Sequence, residues 1–163
     1  STHEWGNYPG TGAVTSVGKG EGEGYTVNIP FLRGAGDVSY KSAFEEVVIP
    51  ILKQYHPYMI LVSIGGDAHY RDPLGGLRLT SKGYSDIAKM MIECADNICD
   101  GRIGFMLEGG YDLEALSEVT SSITAIMAGK NIVLKHVSTR EDTETGKKTV
   151  EDVKEIMSKY WEL

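Results

Sequence analysis

Cysteine is nearly absent from this 163-residue chain: there are only two, Cys94 and Cys99. They lie five apart in a predicted helix, which points them to different faces, and the spacing is not that of a zinc knuckle. They read as buried reduced thiols, so a disulfide scaffold is excluded and a cytoplasmic setting is expected. Basic clusters are absent too. Sixteen Lys and Arg stand against 23 Asp and Glu, for a net charge of −7, with no basic run. Direct nucleic-acid binding needs clustered cations and is therefore not expected. No apolar stretch approaches the ~20 residues that span a bilayer, and no signal peptide is visible, so no membrane partner is expected. Internal repeats are also missing.

What remains is ordinary for a folded chain: 41% apolar and 24% charged residues, a single domain over 1–163. Residues 1–24 are glycine-rich and loop-like. Repeated glycine can cradle phosphate, but no strand precedes these and no Lys-Ser/Thr follows, so a nucleotide site is the weakest reading. Tyr25–Ile29 reads as a short strand stopping at Pro30. Asp37 is placed to N-cap a helix whose apolar face runs Tyr40, Phe44, Val47, Val48, Ile51, Leu52 and Tyr55, with a kink or the start of a final turn at Pro50 and its end at His56-Pro57. A strand at 59–64 follows. Leu79-Thr80-Ser81 opens a second helix, 103–107 is a strand, and a third helix runs from about Leu113 to Ala128 with Gly129 as its stop. Residues 138–149 are polar and read as an exposed loop. Thr149 and Asp152 then resemble a capping box for a terminal helix over 150–163.

Alternating strands and helices predict an α/β fold, a parallel sheet sandwiched by helices. Three strands are few for such a sheet and leave an unguarded edge.

The chemistry concentrates where strands end. Met59-Ile60-Leu61-Val62 runs into Ser63-Ile-Gly-Gly-Asp67-Ala-His69-Tyr-Arg-Asp72-Pro73-Leu74-Gly75-Gly76. Ile103-Gly-Phe105-Met106-Leu107 runs into Glu108-Gly109-Gly110-Tyr111-Asp112. Parallel α/β sheets present ligand-binding residues at the carboxyl ends of strands, and glycine there admits close approach. Taken alone, Asp67 could equally cap its loop and Tyr111 be a core tyrosine. Asp67-Ala-His69 offers a local Asp-x-His alternative, though Gly65-Gly66 breaks the strand alternation it would need, and a hydrogen-bonding role for His69 is the better expectation. Arg71 and Asp72 read as a loop-fixing pair and Glu108 as structural. His3, His56 and His136 read as surface or core residues.

These two segments, together with Ser1-Thr-His3-Glu-Trp-Gly-Asn7-Tyr8-Pro9-Gly10-Thr11-Gly12 and Tyr25-Thr-Val27-Asn28-Ile29-Pro30, occur in the order seen in the zinc-dependent histone deacetylase family. That family includes acetylpolyamine amidohydrolases and acetoin-utilization proteins. The chain resembles the family's C-terminal half over about residues 1–128, within the arginase/deacetylase fold. The resemblance implies that Asp67 is a Zn²⁺ ligand, that Tyr111 is catalytic and donates to the tetrahedral oxyanion, and that Tyr8, Leu74, Gly109 and Gly110 line the acyl-lysine tunnel. It implies hydrolysis of an N-acetyl amide, acetyl-lysine or acetylpolyamine, by metal-activated water. The family's Asp-x-His ligand pair and two adjacent general-base histidines have no counterpart here. A catalytic zinc takes three protein ligands, so the chain alone is expected to be inactive and to need an N-terminal half. The rival expectation is a non-catalytic, self-associating structural module.

Overall fold

A computed structural model describes residues 1–163. The element order is β1 (Thr2–Glu4), β2 (Ile29–Phe31), α1 (Asp37–Ala43), a wide π turn (Phe44–Val48), α2 (Ile49–Tyr55), β3 (Ile60–Gly65), α3 (Ser81–Cys99), β4 (Ile103–Gly109), α4 (Leu113–Met127) and α5 (Thr143–Met157). Pairing is parallel throughout, as the alternation predicts. The strands nevertheless form two separate pairs rather than one sheet. β1 lies beside β2, with Thr2 opposite Ile29, and β3 lies beside β4, with Ile60 opposite Ile103.

Two expectations shift along the chain. The strand expected at Tyr25–Ile29 is β2, Ile29–Phe31, and it pairs with β1, which the sequence did not signal. Thr2-His3-Glu4 has no apolar alternation to reveal it. Pro30 is tolerated because β2 has only one partner and can leave a missing N–H unpaired. The polar segment 138–149 is not all loop: α5 begins at Thr143, and Asp142 caps it by accepting from the Thr145 amide at 3.1 Å. Thr149, expected as a cap, is buried mid-helix and returns its hydroxyl to the Thr145 carbonyl at 3.0 Å. Gly146 hides the helix from a propensity reading. Its place is set by packing: a side chain there would run into Ser39 on α1.

Asp37 is not the cap of α1 but its first residue. Its carboxylate reaches α3 instead, accepting from the Thr80 amide at 2.8 Å and hydroxyl at 2.6 Å. Thr80 in turn caps α3 by accepting from the Gly83 amide at 3.1 Å. The π turn sits just ahead of Pro50, which falls in the first turn of α2, where a missing N–H costs nothing. Asp112 caps α4 through the Ala115 amide at 2.8 Å.

The main core gathers Ile29, Phe31, Tyr40, Val47, Leu79 and Val119 with Val150, Val153 and Met157 of α5. A smaller cluster, Ile60, Met91, Ala95 and Cys99, seats β3 on α3. Both cysteines are free and buried, as their positions in α3 predict. The opposite face of the β3–β4 pair is bare: Leu61 is 62% exposed, and Met59 and Met106 beside it are also exposed. No helix is long and apolar enough to cross a membrane.

Candidate active site

β3 and β4 deliver the site through crossing glycines. Their register slips between Ile64 and Gly65, so that Gly65 faces Gly109. A Cβ on Gly66 would lie 2.8 Å from Leu116 Cδ1 and 3.0 Å from the Gly109 carbonyl. Gly110 holds φ +126°, and a Cβ there would sit 3.0 Å from Gly66 Cα. Both crowding and backbone conformation therefore call for glycine. Beyond Gly66 the chain makes a single 3₁₀ turn that carries Asp67. Its carboxylate is exposed and joins no ion pair. A Cβ on Gly109 would lie 3.8 Å from Asp67 Oδ1, so Gly109 borders the carboxylate.

Asp72 organises the neighbouring loops. Buried to 6% exposure, its Oδ1 accepts from the Leu74 amide at 2.9 Å and the Gly75 amide at 3.2 Å, while Oδ2 accepts from the Tyr111 amide at 2.7 Å. One carboxylate thus fixes the segment bearing Leu74 to the segment bearing Tyr111. Both of those side chains are 62% exposed. The expected Arg71–Asp72 pair is replaced: Arg71 reaches past Tyr111 to Asp112 at 3.2 Å and Glu114 at 3.0 Å. The Ala115 amide and Arg71 hold the Asp112 carboxyl below its ordinary range.

His69 does not pair with Asp67. It is buried to 1% exposure, with Nδ1 accepting from the Arg71 amide at 3.2 Å and Nε2 facing Ser81 Oγ at 3.3 Å. Ser81 passes its hydroxyl on to Glu118 at 3.0 Å, and Glu118 also holds His136 and the Lys135 amide. Burial first, then the proximity of His136, pushes His69 down to about 4, so it is neutral. It is a structural hydrogen-bonding residue, as the broken alternation predicts. His3 likewise spends both nitrogens inside the chain, on Ser1 Oγ and the Gly12 carbonyl, each at 3.1 Å. Glu108 accepts from Ser63 at 3.0 Å.

A cavity of about 190 Å³ opens between the two strand pairs, lined by β1 on one side, Val62–Gly65 of β3 on the other, and Asp67 and Tyr8. Tyr8 stands 95% exposed at this cavity. Of the predicted site residues, the structure therefore places Asp67 and Tyr8 on one cavity, Gly109 beside Asp67, Gly110 against Gly66, and Leu74 and Tyr111 on loops joined by Asp72. Sequence reasoning missed Glu4. Its Oε2 accepts from the Gly76 amide at 2.6 Å and its Oε1 pairs with Arg33 at 2.9 Å, which clips the end of β1 to the loop after Leu74. It also undervalued Asp72, although an aspartate before Pro-Leu-Gly-Gly is a turn signal. Nowhere do three His, Cys, Asp or Glu side chains gather closely enough to hold a metal ion.

The model of the histone deacetylase domain matches residues 1–127. Histone deacetylase 14, chloroplastic, of Arabidopsis thaliana is 46% identical over 128 residues, 78% of this chain and 30% of its own length. A probable deacetylase of Archaeoglobus fulgidus is 39% identical over 99% of this chain and 48% of its own. Among solved structures, the HDA15 HD domain superposes with a TM-score of 0.84 at 36% identity, covering 98% of this chain and 43% of that one. The histone deacetylase Clr3 gives a TM-score of 0.86 at 32% identity over 98% of this chain and 27% of that one. The chain spans about half or less of the length of these relatives, and its parallel α/β architecture is the arginase/deacetylase fold. From its motifs, its fold and these likenesses, the chain belongs to the histone deacetylase family.

Proposed function

We propose that this chain forms the part of a deacetylase active site that carries Asp67 and Tyr111, acting on N-acetyl amides of lysine or polyamine type. The observation that carries the reading is Asp67: a carboxylate at a strand's carboxyl end, free of ion pairs, facing a cavity and bordered by a glycine that leaves it room. In this reading Tyr111 donates its phenol to the oxyanion that develops on the acyl carbon, and Tyr8 and Leu74 flank the acyl chain and exclude water. Asp72, by gripping the Tyr111 and Leu74 amides, sets the phenol against the tunnel wall.

Zinc does not fit these 163 residues on their own. One suitable carboxylate is present where a catalytic site uses three protein donors. The reading therefore gives the polypeptide on its own no turnover and assigns the remaining donors to a second segment. The gap between β1 and β3 supports this. Each strand has one unpaired edge, residues of both line the same cavity, and Gly75–Gly76 touches both Glu4 at the end of β1 and Asp67 beyond the end of β3. Two isolated parallel pairs are an unusual end state, and an extended segment between them would join them. Free buried thiols suit a reducing, cytoplasm-like compartment.

The test is complementation with the amino-terminal portion of the Archaeoglobus fulgidus relative, assayed on an acetyl-lysine peptide with zinc present. Turnover is expected only in the mixture, and Tyr111→Phe is expected to reduce it roughly 10²–10³-fold, as for loss of one oxyanion donor. Turnover by 1–163 alone, or a Tyr111→Phe mixture within twofold of wild type, refutes the assignment. The bare face of β3–β4 favours a second reading, self-association through Met59, Leu61 and Met106. Sedimentation as a dimer that dissociates in Leu61→Lys supports it; a monomer at high concentration removes it.

A further inference from the structure

Glu118 lies in the second turn of α4, the helix that starts just past Tyr111. Its side chain is only 11% exposed and accepts from three separate segments: the Ser81 hydroxyl at the start of α3, the Lys135 amide and the His136 ring. Burial works against its charge, but the donors from Lys135, His136 and Ser81 outweigh it and hold the carboxyl below its ordinary range. An ionised carboxylate accepts hydrogen bonds and donates none.

That constraint fixes the protons along a line of buried groups. Ser81 gives its hydroxyl proton to Glu118 at 3.0 Å, so its oxygen is left to accept from His69 Nε2 at 3.3 Å. On the other side of the ring the Arg71 amide can only donate, and it does so to Nδ1 at 3.2 Å. The carboxylate at one end and the amide at the other call for the same His69 tautomer, with the proton on Nε2. A buried polar line whose members are all satisfied is rigid.

The line ends where Tyr111 is held. The His69 carbonyl also accepts from the Asp72 amide at 2.8 Å, so ring and backbone together close the turn over 69–72. From that turn Asp72 grips the Tyr111 amide, and Arg71 pairs with Asp112 and Glu114. α4 is thus joined to the turn twice, once at its start and once further along through Glu118, Ser81 and His69. A single attachment would leave the helix start a pivot; two fix its direction. We propose that Glu118, acting through Ser81 and His69, is a positioning residue for Tyr111, setting the direction in which the end of β4 presents the phenol. The catalytic half of this inference rests on the role proposed above for Tyr111; the structural half does not. Lys135 and His136 lie outside the 1–127 matched by the family's domain, so support for the tyrosine extends beyond that domain.

The structural half is tested on 1–163. ¹⁵N-histidine spectra at neutral pH, assigned against His69→Gln, are expected to show His69 protonated on Nε2 alone; the Nδ1–H tautomer overturns the proposal. In Ser81→Ala and Glu118→Gln the Arg71 and Tyr111 amides are expected to exchange roughly three- to tenfold faster, while Val150 and Val153 of α5 stay within about twofold of wild type. The near-isosteric Glu118→Gln carries the test if Ser81→Ala does not fold. Wild-type exchange at Arg71 and Tyr111, or equal quickening in α5, overturns the proposal. In the complemented mixture each variant is expected to lose kcat roughly three- to tenfold with KM within about twofold, and to add less than about twofold to the loss in Tyr111→Phe, where no phenol remains to be positioned. Equal losses in both backgrounds overturn positioning through Tyr111. A mixture in which Tyr111→Phe is itself without effect defeats the role proposed for Tyr111 instead, and the exchange rates still decide the structural half.

Discussion

Asp72 offers a quantitative test of how the loops bearing Leu74 and Tyr111 are held. Its carboxylate is buried and accepts three backbone amides, at 2.7, 2.9 and 3.2 Å. A hydrogen bond to a charged group contributes about 1.5–3 kcal/mol, and stranding its partner costs about 1–3 kcal/mol. The three do not simply add in Asp72→Ala, because Leu74 and Tyr111 lie at the surface and water can reach part of the vacated site. A loss of about 2–4 kcal/mol is expected. At this chain length that corresponds to roughly 5–15 °C in Tm. Asp72→Asn keeps one acceptor oxygen but brings two donors toward amide donors, so it is expected to lose at least half as much. The sharper readout is local. Amide exchange at Leu74, Gly75 and Tyr111 is expected to quicken by tenfold or more in Asp72→Ala, since each 1.4 kcal/mol of lost protection is a factor of ten. If those three amides exchange as in wild type while Tm falls, Asp72 is only a core residue and the clamp reasoning is wrong.

Four further outcomes follow from the geometry. His69 has a folded pKa of about 4 against an ordinary 6.5, so the unfolded chain takes up its proton first as pH falls. Its contribution is present above about pH 6.5 and is lost as pH drops from there toward 4; urea midpoints across this window should fall more steeply in wild type than in a folded His69→Gln. Gly146→Ala would gain helix propensity of about 1 kcal/mol yet collides with Ser39, so a net loss of about 1–2 kcal/mol is expected by urea unfolding, and a stabilised variant would contradict the packing of α5 on α1. Asp67→Ala and Tyr111→Phe alter exposed side chains, so their Tm values should stay within about 1–2 °C of wild type. Added zinc at micromolar concentration should not raise the Tm of 1–163, whereas a rise of several degrees abolished by Asp67→Ala would show a metal site these residues do not display.

The sequence was legible where a side chain states its own local purpose. Thr80 and Asp112 cap helices where their positions suggest, and the glycine pairs at 65–66 and 109–110 announce close backbone crossing. It was illegible where the partner is remote. Thr2-His3-Glu4 becomes a strand because Ile29–Phe31 lies beside it, and nothing local in three polar residues says so. Asp37 carries every mark of an N-cap, yet Thr80 outcompetes its own helix for the carboxylate. Gly146 in a polar run looks like a loop until Ser39 is packed against it. In the site, strand-end position alone leaves Asp67 and Tyr111 with ordinary structural readings, and the family resemblance singles them out, whereas Glu4 and Asp72 act through amides distant in sequence.

The strand pairs also set a timetable for synthesis. Thr2 must wait for Ile29, and Ile60 for Ile103, about 27 and 43 positions downstream. Every sheet contact is long-range, while α1, α2 and α3 can form as soon as they emerge from the ribosome. A nascent chain stalled near residue 100 would expose Ile60–Ile64 as an apolar strand still lacking its β4 neighbour, a state open to aggregation. Demand for chaperones should therefore peak in a narrow window of translation, closing once β4 has left the exit tunnel.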